Sequence, residues 1–478
     1  MRKLKLGLLA AGLLNGGLLT ALPALAETTV LKNMTLIDGT GAAARPNSAL
    51  VMTDGKIAWL GPVAQLKAPA GARTIDLTGK YVIPGLIDSH VHIGIMHDLT
   101  QDIKYYTREN VEADLKTYAA YGVTAVQVMG TDTDLIFDIR KELRAGRPKM
   151  ARVFTAGQGE VFKGGYGGVL GLNVQVSTPE EARKSVDEQA AKGVDFVKLW
   201  MDDERKTIPV KMTYPVSAAI IDEAHKHHLR VVAHVFYLAD AKELVREGVD
   251  GFSHMIRDQP VDNELLSMMK AKGTWMVSAT LSREMAYSLA IMPWLNDPFF
   301  TRGVTPGTLT VLRSMAREQA VVLGETHFPG LPYSKKVFWD MDRTLFQALE
   351  NWQAMVKAGI NTGAGTDSGP NGRFPGFNLH EEMQLQVLAG RKPIDAIKSA
   401  TADNARWLGD KTIGTLEAGK WADLVVLLKD PLADIRNTET VDSVYLAGNS
   451  VPTVWQICRD RPANACSGTA AQAPNMPY

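Results

Sequence analysis

Between residues 81 and 409, short apolar runs alternate with stretches of helical periodicity, and this alternation restricts the possible folds more than any other feature of the chain. Runs at about residues 81 to 89, 123 to 129, 152 to 157, 194 to 200, 230 to 235, 250 to 254, 274 to 280 and 361 to 366 have the length and apolar continuity of strands buried on both faces. Helical patterns fill the gaps. One runs from Pro179 to Lys192, where Thr178 and Glu181 form a capping-box pair and Pro179 sits in the first turn. Eight such repeats predict an α/β chain built as a (β/α)8 barrel; a doubly wound open sheet shares the alternation and stays open on pattern alone.

Two β-rich segments flank this region. Residues 27–80 contain Thr29-Val-Leu, Thr35-Leu-Ile and a hairpin signal at Asp54-Gly55, and residues 410–455 contain Ala422-Asp-Leu-Val-Val-Leu-Leu428 and Val441 to Val451. Each is too short for a good core of its own, so the two are expected to pack together as one composite module. Residues 1–26 read as a secretory signal: Arg2, Lys3 and Lys5 precede an apolar centre and an Ala24-Leu25-Ala26 cleavage pattern. Asn15-Gly16-Gly17 and Pro23 interrupt the apolar run, which argues against a stable membrane anchor. The expected location is therefore periplasmic or secreted. Without those residues 49 basic side chains face 52 acidic ones, a net charge of −3 that offers nothing to a nucleic acid. Cys458 and Cys466 fall in a C-terminal tail, residues 456–478, where an oxidising compartment would allow them to form a disulfide.

Function is suggested by what stands at the strand ends. The first run, Tyr81-Val-Ile-Pro-Gly-Leu-Ile-Asp-Ser-His-Val-His92, ends in His90 and His92, whose i, i+2 spacing on a strand turns both rings to one side. Later runs end in Lys198, His234, His254 and Asp367. Each of these has an ordinary reading as a snorkelling lysine, a core histidine or a helix cap. Together they place six titratable or metal-capable side chains at the C-terminal ends of strands, where a barrel builds its catalytic mouth. His225, His227 and His228 lie on a helical segment and cannot share one face; they read as solvated. His97 and His327 lack a strand-end context, and His380 reads as structural. The glycine-rich loop 157–168 has the freedom to approach a ligand, and the insertion 281–345, with Trp294, Phe299, Phe300, Phe338 and Trp339, reads as a lid or as helices packing their aromatics among themselves.

These residues sit in patterns that resemble the metal-dependent amidohydrolases, in their imidazolonepropionase and dipeptidase-like (prolidase-like) branch. The resemblance runs from the N-terminal β segment to about Val451 and is carried by Pro84-Gly-Leu-Ile-Asp-Ser-His-Val-His92, Gly365-Thr-Asp367, Ala400-Thr401 with Asn404-Ala405, and Ile413-Gly-Thr-Leu-Glu-Ala-Gly-Lys-Trp-Ala-Asp-Leu-Val-Val426. It implies a distorted (β/α)8 TIM barrel over residues 81–409 with a small β-sandwich module assembled from both termini. It also implies two divalent ions, zinc being the expected pair: His90, His92 and Asp367 on one, His234 and His254 on the other, and Lys198 between them. A buried lysine has a lowered pKa, so its neutral amine can take up carbon dioxide and become the bridging N6-carboxylysine. The chemistry implied is attack of a metal-bridged hydroxide on the amide of a dipeptide or N-acyl amino acid, with Asp367 as the catalytic proton carrier. The chain departs from its dipeptidase-like relatives in having Tyr166 in the third loop and Val235-Phe-Tyr237 after the fifth strand. Tyr166 and Tyr237 are candidates for holding a substrate carboxylate or oxyanion, with core packing the alternative. A mononuclear deaminase or cyclic-amide or lactone hydrolase, and a non-catalytic barrel scaffold, are the competing functions. The partner expected is a small-molecule substrate, and a homo-oligomer is open because relatives commonly associate.

Overall fold

The computed structural model describes residues 28–169, 171–203, 205–206, 208–288, 293–322, 335–370 and 372–457. The expected signal at 1–26, both cysteines, His327 and the side chains of Phe338 and Trp339 lie outside the described residues or side chains. Among the described residues no helix is long and apolar enough to cross a membrane.

Strands from the two ends of the chain share one sheet. Its order is Asn449–Val451, Val441–Leu446, Leu424–Leu427, Tyr81–Pro84, Thr28–Leu36, Arg45–Thr53 and Lys56–Pro62, with Arg73–Asp76 pairing beside Thr28–Leu36. Leu31, Met34, Leu50, Ile57, Val82, Leu424 and Val426 are buried together on this sheet, so neither terminal segment has to supply a core alone. The Asp54-Gly55 turn forms as expected, both residues at positive φ (+50° and +82°), and it pairs Thr53 with Lys56.

The stretch predicted as a single strand over 81 to 89 is divided. Tyr81–Pro84 pairs antiparallel with Leu424–Leu427, whereas Leu86–Val91 begins a second, parallel set. Gly85 is the joint: its N–H donates to Asp423 O at 2.8 Å, and a Cβ there would overlap the Thr124 side chain. In the parallel set, Arg152–Thr155, Val123–Val128 and Leu86–Val91 form one group. Val174–Val176, Glu160–Phe162, Val197–Trp200, Val231–His234, Gly251–Phe252 and Trp275–Met276 form the other. Asp195 N donates to Thr155 O at 2.8 Å on one side of the gap between them. On the other side, Met276 pairs with Thr362 and Val91 with Ser368, so the run of parallel segments returns to its own first strand.

The last segment, predicted as a strand over 361 to 366, is not a regular strand; it pairs through the Thr362 bridge and single backbone bonds, Gly363 N to Met276 O at 2.9 Å on one side and Ser89 N to Ala364 O at 3.1 Å on the other. The reason lies in Asn404. Its side-chain Oδ1 accepts from Ala364 N at 3.1 Å, and its Nδ2 donates to Ala364 O at 2.7 Å and to Ile87 O at 2.6 Å, which replaces part of a strand ladder with a side chain.

Pro179–Lys192 is helical, and Thr178 accepts from Glu181 N as its cap. Glu181 differs from the capping-box expectation: its carboxylate takes Ser177 N at 2.7 Å and Ser177 Oγ at 2.8 Å, one residue earlier. The insertion carries helices Leu281–Ser288, Pro298–Arg302 and Pro306–Val322, and Lys335–Lys357 follows. Its aromatics do not pack only among themselves. Trp294, Phe299 and Phe300 meet Phe374 and Phe377 beyond Asp367, and Phe299 also meets Tyr121 and Trp455. The tertiary neighbours of those rings are far away in sequence, where periodicity cannot find them.

Candidate metal centre

His90 and His92 leave the end of Leu86–Val91 with their rings 5.4 Å apart. Both turn Nε2 towards Asp367 Oδ1, at 3.4 Å for His90 and 3.0 Å for His92. These three are the one buried group, among the described residues, whose ligand atoms all lie within 4.8 Å of one another. The His254 ring stands 4.9 Å from His90 and 4.0 Å from His234. His234 directs its Nε2 to Asp202 Oδ2, 3.0 Å away, rather than into the first group. Lys198 rises from Val197–Trp200 without solvent exposure, donates from Nζ to Ser253 Oγ, and passes 4.9 Å from the Trp200 ring.

Backbone and hydroxyl groups fix the rings. His90 Nδ1 meets Ser253 O and Ser278 Oγ, both at 3.0 Å; a carbonyl can only accept, so Nδ1 carries the proton and Nε2 keeps its lone pair for the centre. His92 Nδ1 is 2.7 Å from Thr131 Oγ1, and His254 Nδ1 is 2.9 Å from Thr280 Oγ1. Burial lowers the pKa of His90 and His254 far below the ordinary imidazole value and lowers that of His92, so all three are neutral near pH 7, the form that binds a cation. Burial likewise pulls Lys198 down to about 7, against the attraction of Asp367 and Asp202. A lysine in that state has a substantial neutral fraction, which is the form that reacts with carbon dioxide. Asp367 is lowered as well, but against burial. Burial works to raise it, but Arg373, His90 and His92 outweigh burial and hold the carboxyl well below the usual carboxylate range. Its backbone sits at φ +59°, a left-handed conformation costly for a residue with a Cβ, fixed by Asp367 N donating to His90 O at 2.8 Å and Arg373 Nε donating to Asp367 O at 2.7 Å.

Several residues around the centre carry no pattern signal. Arg283 Nε lies 3.0 Å and Arg373 Nη2 3.4 Å from Asp367 Oδ2, which leaves Oδ1 for the histidine side. Arg283, Arg257 and Arg205 surround the buried Glu284 at 2.7, 3.0 and 3.2 Å. Burial opposes ionisation of Glu284, yet Arg257, Arg283 and Arg205 hold its pKa at about 2. These arginines come from separate segments, Arg283 from the helix Leu281–Ser288, so no local spacing announces them. Asp202 is different: it shares the face of Lys198 and Trp200 by strand parity and was open to detection.

Of the two candidate tyrosines, Tyr166 lays its ring 5.3 Å from His234, and Tyr237 donates its hydroxyl to Asp203 at 2.6 Å. His380 is structural, its Nδ1 3.0 Å from Thr438 Oγ1 and its Nε2 2.9 Å from Tyr121 O. His225 pairs with Asp250 and His227 with Asp187 on the surface. The exposed group Asp187, Glu223 and His227 also brings ligand atoms together, but Arg183 and Lys226 already occupy Glu223.

Neutral histidines, a carboxylate and a lysine of lowered pKa gathered past parallel strands make a candidate metal site of the kind hydrolases use. The pattern of the Amidohydrolase family matches residues 81–451, and the chain belongs to that family. It is a metal-dependent hydrolase of amide bonds. Ochratoxinase of Aspergillus niger is 24% identical over 477 residues, covering 90% of this chain and 86% of the relative. Imidazolonepropionase of Streptomyces avermitilis is 25% identical over 386 residues, 80% of each chain. Among solved structures, a Xaa-Pro dipeptidase with methionine bound in its active site superposes with a TM-score of 0.69 at 20% identity, covering 89% of this chain and 99% of that one.

Proposed function

We propose that the protein is an exported binuclear amide hydrolase acting on a dipeptide or an N-acyl amino acid, on a distorted (β/α)8 barrel flanked by a β module from both termini. One observation supports the two-ion reading: Lys198 is fully buried, its Nζ donates to Ser253 Oγ beside His254, and burial lowers its pKa to about 7 against the attraction of Asp367 and Asp202. The donor chemistry fits, because burial keeps the His90, His92 and His254 rings neutral and a carbamate on Lys198 would add the anionic oxygens that two cations need to share. His90, His92 and Asp367 would hold one ion, His234 and His254 the other, and Lys198 as carboxylysine would join them. Zinc is the ion this donor set suggests. The bound pair would supply a water ionised near neutral pH and a polarised substrate carbonyl. The protein's own part falls to Asp367. With Oδ2 held by Arg283 and Arg373, Oδ1 accepts the proton released by the attacking water and passes it to the leaving nitrogen, so that an amine and not an amide anion departs.

Names among the relatives support an amide or peptide substrate, since they include an ochratoxinase and a Xaa-Pro dipeptidase. Export is proposed from residues 1–26 alone. The test is a hydrolysis screen over dipeptides, N-acyl amino acids and lactones, with metal content measured on the same sample. Amide cleavage with two ions per chain is expected. Turnover limited to lactones or cyclic amides with one ion per chain would favour the mononuclear alternative.

A further inference from the structure

We propose that Asp202 is a ligand of the ion assigned to His234 and His254, a seventh side chain of the metal centre. The inference rests on the binuclear reading above and extends it. Asp202 Oδ2 is 3.0 Å from His234 Nε2, and both side chains are buried. Ligand bonds of about 2.0–2.2 Å at tetrahedral angles put neighbouring donor atoms roughly 3.3 Å apart, so this separation suits two donors of one small cation. The backbone explains why the carboxylate arrives there. Val197–Trp200 and Val231–His234 run in parallel register, and Met201 N still donates to His234 O at 3.1 Å one residue past the strand. Asp202, the next residue, is thereby delivered beside the His234 ring on the face that carries Lys198.

Charge points the same way. Two divalent ions bring four positive charges, against which carboxylysine, Asp367 and a hydroxide supply three negative ones. Arg283 and Arg373 press further positive charge onto Asp367 itself. A buried carboxylate at Asp202 brings the ligand charge level with the ions, and burying it in a site of this sign is what makes its own desolvation tolerable.

The test uses metal-depleted full-length protein titrated with cobalt(II), read by binding stoichiometry and by visible ligand-field absorption. Wild type is expected to take two ions per chain. Asp202→Asn should retain one at wild-type affinity and bind the second at least about tenfold more weakly, with a changed spectrum, since even outer partners of ligands shift metal affinity by about 10- to 100-fold. If Asp202→Asn does not fold, Asp202→Glu carries the test, because a longer arm on a true ligand changes the absorption. Two ions at wild-type affinity with an unaltered spectrum in either variant overturns the assignment. Uptake of a single ion by the wild type overturns the two-ion reading, and this inference with it.

Discussion

At the residue scale, His90, His92 and His254 share one device: each anchors Nδ1 to an oxygen and keeps Nε2 for the centre. Thr131 is the simplest place to test it, because its hydroxyl meets the His92 ring at the nitrogen that faces away from the centre. Thr131→Val should weaken metal retention by about 10- to 100-fold with little change in thermal stability, measured by chelator competition. Lys198→Ala should go further, lowering kcat/KM by more than about 100-fold together with loss of one ion per chain. The six positions proposed as ligands stood out because a titratable side chain ending an apolar run is conspicuous. Arg283, Arg373 and Glu284 did not, since a charged side chain on a helix or loop has many solvated uses and only the fold reveals that these converge.

At the scale of elements, the divided first strand shows what pattern can and cannot supply. The apolar run over 81–91 was visible, but its break at Gly85 depends on the Thr124 side chain from a different segment. Gly85→Ala should cost about 1–3 kcal/mol, measured by denaturant unfolding, because the added methyl forces two layers apart. The short strand Glu160–Phe162 carries a different strain. Burial raises Glu160 to about 8, although Ser185 Oγ donates to it at 2.9 Å. A folded-state pKa above the ordinary value of 4.5 means the native protein binds the proton more tightly, so this contribution is fully present below about pH 4.5 and is lost as pH rises to about 8. In that window the loss is on the order of 1 kcal/mol per pH unit. Glu160→Gln should therefore raise Tm at pH 8.5 and leave it nearly unchanged at pH 4.5; equal effects at both would contradict the assignment. The segment 361–366 was read as a strand because its composition is small and apolar, and nothing local tells that the Asn404 side chain takes over part of its backbone pairing at Ala364.

Across the whole molecule, Asn404 ties the ends of the parallel run together by bonding both Ile87 and Ala364. Asn404→Ala should cost roughly 2–4 kcal/mol, since it leaves buried backbone groups without partners, and should loosen His90 and Asp367 together, lowering activity and stability in step. The α/β alternation and the meeting of the two terminal segments were legible because period and length survive in one sequence. The packing of Trp294, Phe299 and Phe300 onto Phe374 and Phe377 was not, since it joins segments some 75 residues apart. Both findings bear on the central proposal, that Lys198, buried within this framework, is carboxylated to bridge two ions. The direct measurement is carbon-13 NMR of the metal-loaded protein equilibrated with labelled bicarbonate. A carbamate resonance absent from Lys198→Ala is the result expected, and a fully active enzyme with no such resonance is the result that would contradict it.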